Sequence, residues 1–295
     1  MKVCMVGLET LPLPPILGGA IERGMAEVMS LLSKRDIELH VISIAHERIN
    51  KELLEEHKYA HFHHVKIPFL IECYPLNRFF KGFYFFNKVA DIINRIQPDI
   101  IHFRNYPTAV FVVSRKIKKQ HKMIINFHNM DYGWNFFAKR LDRYLFKAGL
   151  RRVDLCIAVS EFIRMHLLDR YGKYIKGKII VIPNGVNMEV FLPKPAERSV
   201  LRKKMGIGEA PVIIFVGRID PRKGVDILLD AFTVCKKSIK DLRLIVMGPL
   251  GSFWHNKPQK YAQYIKQRIE KMKDVLLFSP TYDKTELASF YSMAD

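Results

Sequence analysis

The sequence has no apolar run approaching the roughly 20 residues of a membrane-spanning helix. Its first residues, MKVCMVG, hold one lysine and then a short β-like run. That run is too short for the core of a secretory signal and reads as a first strand. Cysteine is scarce: Cys4, Cys73, Cys156 and Cys235 lie far apart, with neither metal-knuckle nor CxxC spacing. Three of them sit in apolar runs, where a free cysteine behaves as a small hydrophobe. These absences lead to an expected reducing, cytoplasmic location. The chain is then soluble, or held at most peripherally at the inner membrane face.

Several catalytic signatures are missing as well. There is no GxxxxGK[ST] phosphate loop and no GxSxG nucleophile elbow. GIGEAP, at Gly206–Pro211, precedes a strand and lacks a third glycine, so it is no dinucleotide fingerprint. No two aspartates are spaced as DxD, so no metal clamp for a sugar diphosphate is indicated and no metal site is expected. His61, His63 and His64 form HFHH without a nearby cysteine or suitably placed carboxylates. An exposed strand edge is expected there rather than a zinc site.

What is present is ordinary globular composition: 49% hydrophobic and 26% charged residues over 295 positions, enough for two domains of common size. The net charge of +19 favours anionic partners: phosphates, acidic lipids or nucleic acid. It is spread over Arg115–Lys119, Arg140–Arg152 and Lys266–Lys273 rather than held in one tail, and solvated helix faces account for most of it. Charge alone does not choose between these partners. No nucleic-acid-binding module is recognisable, so no nucleic-acid partner is expected.

Short β-branched runs alternate with helical patterns nearly throughout. Strands are expected at Lys2–Val6, Leu39–Ile44, His64–Phe69, Asp99–Phe103, Met123–Phe127, Leu155–Val159 and Lys178–Ile182. Helices are expected at Ala20–Leu32, Asn87–Ile96, Thr108–Lys118, Phe136–Leu150 and Glu161–Tyr171. The rhythm pauses over Asn184–Arg198, where three prolines and a glycine mark a loop and a domain boundary. It restarts with strands at Val212–Val216, Leu242–Met247 and Val275–Phe278, and helices at Gly224–Lys236, Tyr261–Met272 and Lys284–Met293. The alternation predicts an α/β fold with a mostly parallel sheet in each half. The second half has little sheet to cover its helices, which suggests a piece of a longer protein.

The segment Phe215–Gly224, FVGRIDPRKG, joins a strand to a helix. Ligands of open α/β sheets bind outside the carboxyl ends of the strands. Gly217 lets a ligand approach the backbone. Arg218 offers a planar fork to a phosphate, and Lys223 stands just before a helix N-terminus with its free N–H groups. Together they describe a diphosphate site; the plain alternative is a basic surface loop. A second loop, PLPPILGGAIE at Pro12–Glu22, places Gly18 and Gly19 between the first strand and first helix. His128 follows the strand Met123–Phe127 at a carboxyl end, where it can bond a sugar hydroxyl or be satisfied by a loop carbonyl. NRFFKGFYFFNK, at Asn77–Lys88, mixes aromatics with cations and fits a lipid interface, stacking on bases, or a partly buried helix.

PPILGGAIE, NFHNM at Asn126–Met130, AVS at Ala158–Ser160, VIPNGVN at Val181–Asn187, FVGRIDPRKGVDILLDAF at Phe215–Phe232 and VMGP at Val246–Pro249 together resemble the retaining glycosyltransferases of family 4. The closing run VLLFSPTYDKTELASFYSMAD resembles that family's penultimate segment, and the first loop resembles its spore-coat members. The resemblance implies the GT-B fold: two doubly wound, Rossmann-like domains facing a cleft, here 1–188 and an incomplete 199–295. It implies a nucleotide-diphosphate sugar as donor substrate, no cofactor, no metal, and an acceptor that is a glycan, a lipid-linked sugar or a small molecule. Arg218 and Lys223 would bind the diphosphate and stabilise the leaving group. Gly217 would let the donor approach the backbone, Gly18 and Gly19 would bring backbone N–H groups toward the donor phosphate or the acceptor, and His128 would contact the transferred sugar. Asn184 would shape the crossover, and Gly248 and Thr281 would lie near the nucleotide base. The family's Glu-x7-Glu element, which binds donor sugar and ribose, would begin just past Asp295. The expectation is therefore that these 295 residues alone are inactive or barely active. The competing expectation is a non-catalytic binding or spore-coat assembly protein that keeps the fold.

Overall fold

The computed structural model describes residues 1–72, 77–129, 139–250 and 260–295. The chain divides into two compact units, Met1–Gly185 and Val186–Asp295.

Unit 1 opens with β1 (Lys2–Val6), α1 (Ala20–Leu32), β2 (Glu38–Ile44), α2 (Lys51–Glu56), β3 (His61–Val65), α3 (Phe69–Glu72) and α4 (Asn77–Ile96). It continues with β4 (Ile100–Arg104), α5 (Pro107–Ser114), β5 (Lys122–Phe127), α6 (Lys139–Arg152), β6 (Leu155–Ala158), α7 (Glu161–Ile175) and β7 (Ile179–Val181). The seven strands are parallel and lie in the order β3-β2-β1-β4-β5-β6-β7. The order turns back at β1, which pairs with β2 on one side and β4 on the other. Such a reversal leaves a crevice at the carboxyl ends of the two diverging strands.

The central strands are apolar without alternation because both of their faces are covered. Cys4, Val6, Ile101, Phe103, Ile125 and Phe127 join Phe85, Phe86, Val89 and Ile93 of α4 in the main core. Val3, Met5, Leu39 and Val41 pack the other face against Met25 and Met29 of α1. Helix α5 is apolar all round and buried nearly throughout. Gly149 of α6 lets the two helices meet, since a Cβ there would lie 1.8 Å from the Pro107 carbonyl oxygen.

Unit 2 contains α8 (Pro195–Lys204), β8 (Val212–Val216), a 3₁₀ turn (Pro221–Lys223), α9 (Val225–Cys235), β9 (Arg243–Met247), α10 (Lys260–Glu270), β10 (Val275–Phe278) and α11 (Lys284–Met293). Its parallel strands run β10-β9-β8. Val225, Leu229 and Phe232 pack one face with Ala262, Ile265 and Ile269. Ile245, Met247, Phe290 and Met293 pack the other. Arg202 is buried in this unit and ties it internally, donating to the carbonyls of Gly208, Ala210 and Met293.

Four expectations about elements need correction. The third strand runs over His61–Val65, not His64–Phe69: Pro68 brings no donor to a ladder, and a helical turn begins at Phe69. HFHH does lie on an edge strand, where His63 Nε2 stands 3.0 Å from His40 Nδ1. Helix α4 starts at Asn77, ten positions before the expected Asn87, because the aromatic-basic stretch continues its periodicity. Helix α5 stops at Ser114 rather than Lys118. The expected interdomain loop contains the start of α8, whose Pro195 sits in the first turn where a missing N–H costs nothing. The short helices α2 and α3 carry no periodic signal long enough to read. Cys73, Met130 and the expected helix start at Phe136 lie outside the described residues.

Candidate functional site

Near the β1–β4 reversal in unit 1 the strands bring a set of polar groups together. Glu9 follows β1, Arg104 ends β4, and His128 follows β5. Gly18 and Gly19, at φ 78° and 89°, lead into α1, with Gly19 at its N-cap. Only glycine takes such angles without strain. A Cβ on Gly19 would lie 2.1 Å from Oε2 of Glu22, so the Glu22 carboxyl folds back over the start of its own helix. Glu9, Glu22 and Arg104 are all under 5% exposed, at 1%, 3% and 4%.

Burial sets the charges. The Glu22 carboxyl is pushed up to about 7 by desolvation, against the pull of its own backbone N–H and of Arg104, and Glu9 adds to the rise. Burial lowers Arg104 to about 10 while Glu22 draws it back up. His102 falls to about 3 and His128 to about 4, each first through burial and then through the Arg104 charge. Both rings are therefore neutral at physiological pH. His102 Nε2 lies 2.8 Å from Asn126 Oδ1 and touches Arg104 Nη1. His128 donates its backbone N–H to Asn105 Oδ1 at 2.8 Å. Among the described residues, His128 Nε2 and Arg104 Nε are buried without a hydrogen-bond partner. A neutral imidazole can give or accept one hydrogen bond at that nitrogen, which suits a ligand hydroxyl. Asn184, after β7, is exposed.

In unit 2 the carboxyl ends of β8 and β9 meet backbone to backbone. Gly217 donates its N–H to the Met247 carbonyl at 2.9 Å, and Gly248 donates to the Phe278 carbonyl at 3.2 Å. A Cβ on Gly248 would lie 1.8 Å from the Gly217 carbonyl oxygen. Arg218 comes next, its Nη2 3.3 Å from Asp220 Oδ2. Asp220, 8% exposed, also lies 3.6 Å from Arg222 and accepts the Arg222 N–H at 3.0 Å, capping the 3₁₀ turn. Lys223 closes that turn and is exposed, and Gly224 enters α9 in the left-handed conformation at φ 63°. Thr281 donates its hydroxyl to Glu286 beside the start of α11.

The expected residues thus fall into two groups. Gly18, Gly19, His128 and Asn184 belong to unit 1, and Gly217, Arg218, Lys223, Gly248 and Thr281 to unit 2. Within unit 1, the reading of the sequence overlooked Glu9, Glu22, Arg104 and Asn105. Their signal was there: Glu22 stands beside the Gly-Gly turn, Glu9 just past the first strand, and Arg104 and Asn105 at the end of the apolar strand IIHFR. Within unit 2 it overlooked Asp220, whose place before a proline marks a turn cap. Asp220 also shares the charge of Arg218, so Lys223 is the more open cation of the pair. Among the described residues no group of three His, Cys, Asp or Glu is placed to hold a metal ion. None of the described helices is long and apolar enough to cross a membrane. A groove of about 540 Å³ on unit 1 is lined by Leu70, Ile71, Phe80, Phe83 and Tyr84, with Lys88 and Lys116 among its polar residues.

Comparison with known proteins connects these features. Glycosyl transferases group 1 matches residues 197–295. The whole chain is 24% identical to the putative glycosyltransferase YtcC of Bacillus subtilis strain 168, covering 68% of that protein. It is 22% identical over its whole length to spore coat protein SA of the same bacterium, covering 73% of that protein. Anabaena Alr3699/HepE, crystallised in complex with UDP-glucose, aligns with all of the chain at a TM-score of 0.72 and 19% identity, over 72% of its own chain. That last likeness is one of fold. A continuous match over residues 18–190, more than half of the sequence and including Gly18, Gly19, His128 and Asn184, shows that the chain belongs to Glycosyltransferase Family 4.

Proposed function

We propose that the protein moves a sugar from a nucleoside-diphosphate donor to an acceptor hydroxyl, with retention of configuration and without a metal. The observation that carries this reading is the pair of cations, Arg218 and Lys223, just past the carboxyl end of β8, where Gly217 and Gly248 let the strand ends pack closely. Ligands of open α/β sheets bind outside the carboxyl ends of the strands, and two cations stand there to meet a diphosphate. Breaking the bond between sugar and phosphate builds negative charge on the departing diphosphate. Cations held there stabilise that charge more than the bound donor, which lowers the barrier. His128, neutral and with a free ring nitrogen, contacts the transferred sugar; Gly18 and Gly19 line the same rim of unit 1.

Equilibrium binding of UDP, GDP and UDP-glucose tests the donor site. Arg218→Ala and Lys223→Ala should each weaken binding at least about tenfold, the loss of one charge-assisted hydrogen bond. Unchanged affinity in both variants overturns the assignment. Turnover that survives excess chelator supports the metal-free reading, and the anomeric configuration of the product, read by NMR, tests retention.

We further propose peripheral contact with a lipid surface through the apolar groove of α3 and α4, with a lipid-linked sugar as acceptor. A second reading, a binding protein without transfer, is favoured by the likeness to spore coat protein SA. Nucleotide binding with neither transfer nor donor hydrolysis would select it.

A further inference from the structure

Asn105 is one of two non-glycine residues with positive φ among those described, at 54°, and it is 2% exposed. Left-handed backbone is unfavourable for side chains with a Cβ, and asparagine tolerates it best. Such a conformation persists where the surroundings hold it, and often beside a functional group. Here it lies between the last residue of β4 and the turn into α5.

The bend lets one residue hold the neighbouring strand at two points. The Asn105 backbone N–H donates to the Asn126 carbonyl at 2.8 Å, extending the β4–β5 ladder by one step. Its side-chain Oδ1 then accepts the His128 N–H at 2.8 Å, two residues further on. At that point β5 has ended, so the backbone of His128 has no ladder of its own to fix it. His128 Nε2 is buried and has no partner among the described residues. A ring nitrogen kept unpaired needs its backbone held from elsewhere if it is to face a ligand in one orientation.

We propose that Asn105 is a positioning residue for transfer: its side-chain carbonyl holds the His128 backbone so that the free ring nitrogen meets the donor sugar. This rests on the reading of His128 as a sugar contact. Glycine at position 105 would keep the left-handed turn and lose the acceptor. Aspartate would keep both, because its carboxylate presents an oxygen at the same reach. A residue needed only for the turn would be replaced by glycine without loss.

The test uses the full natural chain and whichever of UDP-glucose and GDP-mannose it turns over, read as release of nucleoside diphosphate. Asn105→Gly should lower kcat at least tenfold with KM for the donor within twofold, and Asn105→Asp should return kcat to within threefold of the parent. His128→Ala should lower kcat comparably, and Asn105→Gly should add less than twofold in that background. If Asn105→Gly keeps kcat within twofold while His128→Ala loses it, positioning is wrong and the His128 contact stands. If His128→Ala keeps kcat, or the parent consumes neither donor, the underlying reading fails and the proposal with it. Should Asn105→Gly not fold, the parent still decides. A scalar coupling across the hydrogen bond, between the His128 backbone nitrogen and the Asn105 side-chain carbonyl carbon, is expected by NMR. Its absence in an assigned spectrum overturns the proposal.

Discussion

Gly248 lies back to back with Gly217, so that a Cβ on Gly248 would stand 1.8 Å from the Gly217 carbonyl oxygen. The ends of β8 and β9 have no room for a methyl group there. Because the obstacle is backbone, relief requires the strands to part. Gly248→Ala should destabilise unit 2 by about 3 kcal/mol, the upper range for overpacking. Urea unfolding followed by a probe in unit 2 checks this; a loss under about 1 kcal/mol contradicts the geometry.

Glu22 gives unit 1 a pH dependence of known sign. Its folded carboxyl titrates at about 7 against an ordinary value of 4.5. The folded state therefore keeps a proton that the unfolded chain releases between those pH values. Stability from this group is highest below pH 4.5, falls as pH rises to 7, and is flat above. The fall is about 3 kcal/mol at about 1.4 kcal/mol per pH unit. His102 and His128, lowered to about 3 and 4, act in the opposite sense, losing stability as pH falls below their ordinary value of 6.5. The difference between the parent and Glu22→Gln isolates the carboxyl. It should shift in favour of Glu22→Gln by about 3 kcal/mol from pH 4.5 to pH 7.5. A difference that stays flat with pH rules this out.

Arg202→Met should unfold unit 2 at lower urea while leaving unit 1 unchanged. The substitution keeps an apolar stem but strands the carbonyls of Gly208, Ala210 and Met293 that the guanidinium serves. The expected cost is about 3 kcal/mol, one to several buried acceptors losing a charged donor. Separate fluorescence probes in the two units would show one transition moving and the other fixed.

Phe83 is 50% exposed on α4, beside the groove that also contains Lys88 and Lys116. Lys116 already pairs with Asp91 at 2.9 Å, so apolar contact carries more of the proposed lipid attachment than charge does. Phe83→Ser should weaken binding to vesicles containing anionic phospholipid about tenfold, the transfer energy of a partly buried ring. Sedimentation with vesicles measures it. A parent protein that stays in the supernatant removes the lipid assignment.

The elements with long, regular patterns were legible from the chain alone. Helix α1 and strands β1, β8 and β10 run over the spans their apolar spacing predicts. The early part of α4 was harder, because aromatics and lysines share its apolar face and its solvent face. Proline misled at Pro195, since the same residue breaks a helix interior and suits a first turn. The polar rim of unit 1 was only half legible. Gly18, Gly19 and His128 announce themselves at strand ends. Glu22 and Arg104, 82 positions apart, become neighbours only when β1 and β4 pair, which local pattern does not reveal. The partnership of Asn105 with His128 needs the same pairing carried one strand further.

Among the described residues, the seven strands of the larger sheet all come from Met1–Gly185. A ribosome therefore finishes the parts of that sheet before it has made any of unit 2. Parallel pairing between distant segments is slow to form, and synthesis supplies time for it. The reversal at β1 sharpens the point: β1 must wait for β4, some ninety codons later, before its second edge is covered. Until then one flank of β1 is open to pairing with other chains. Translation speed over that interval should govern how much of the protein aggregates before it folds.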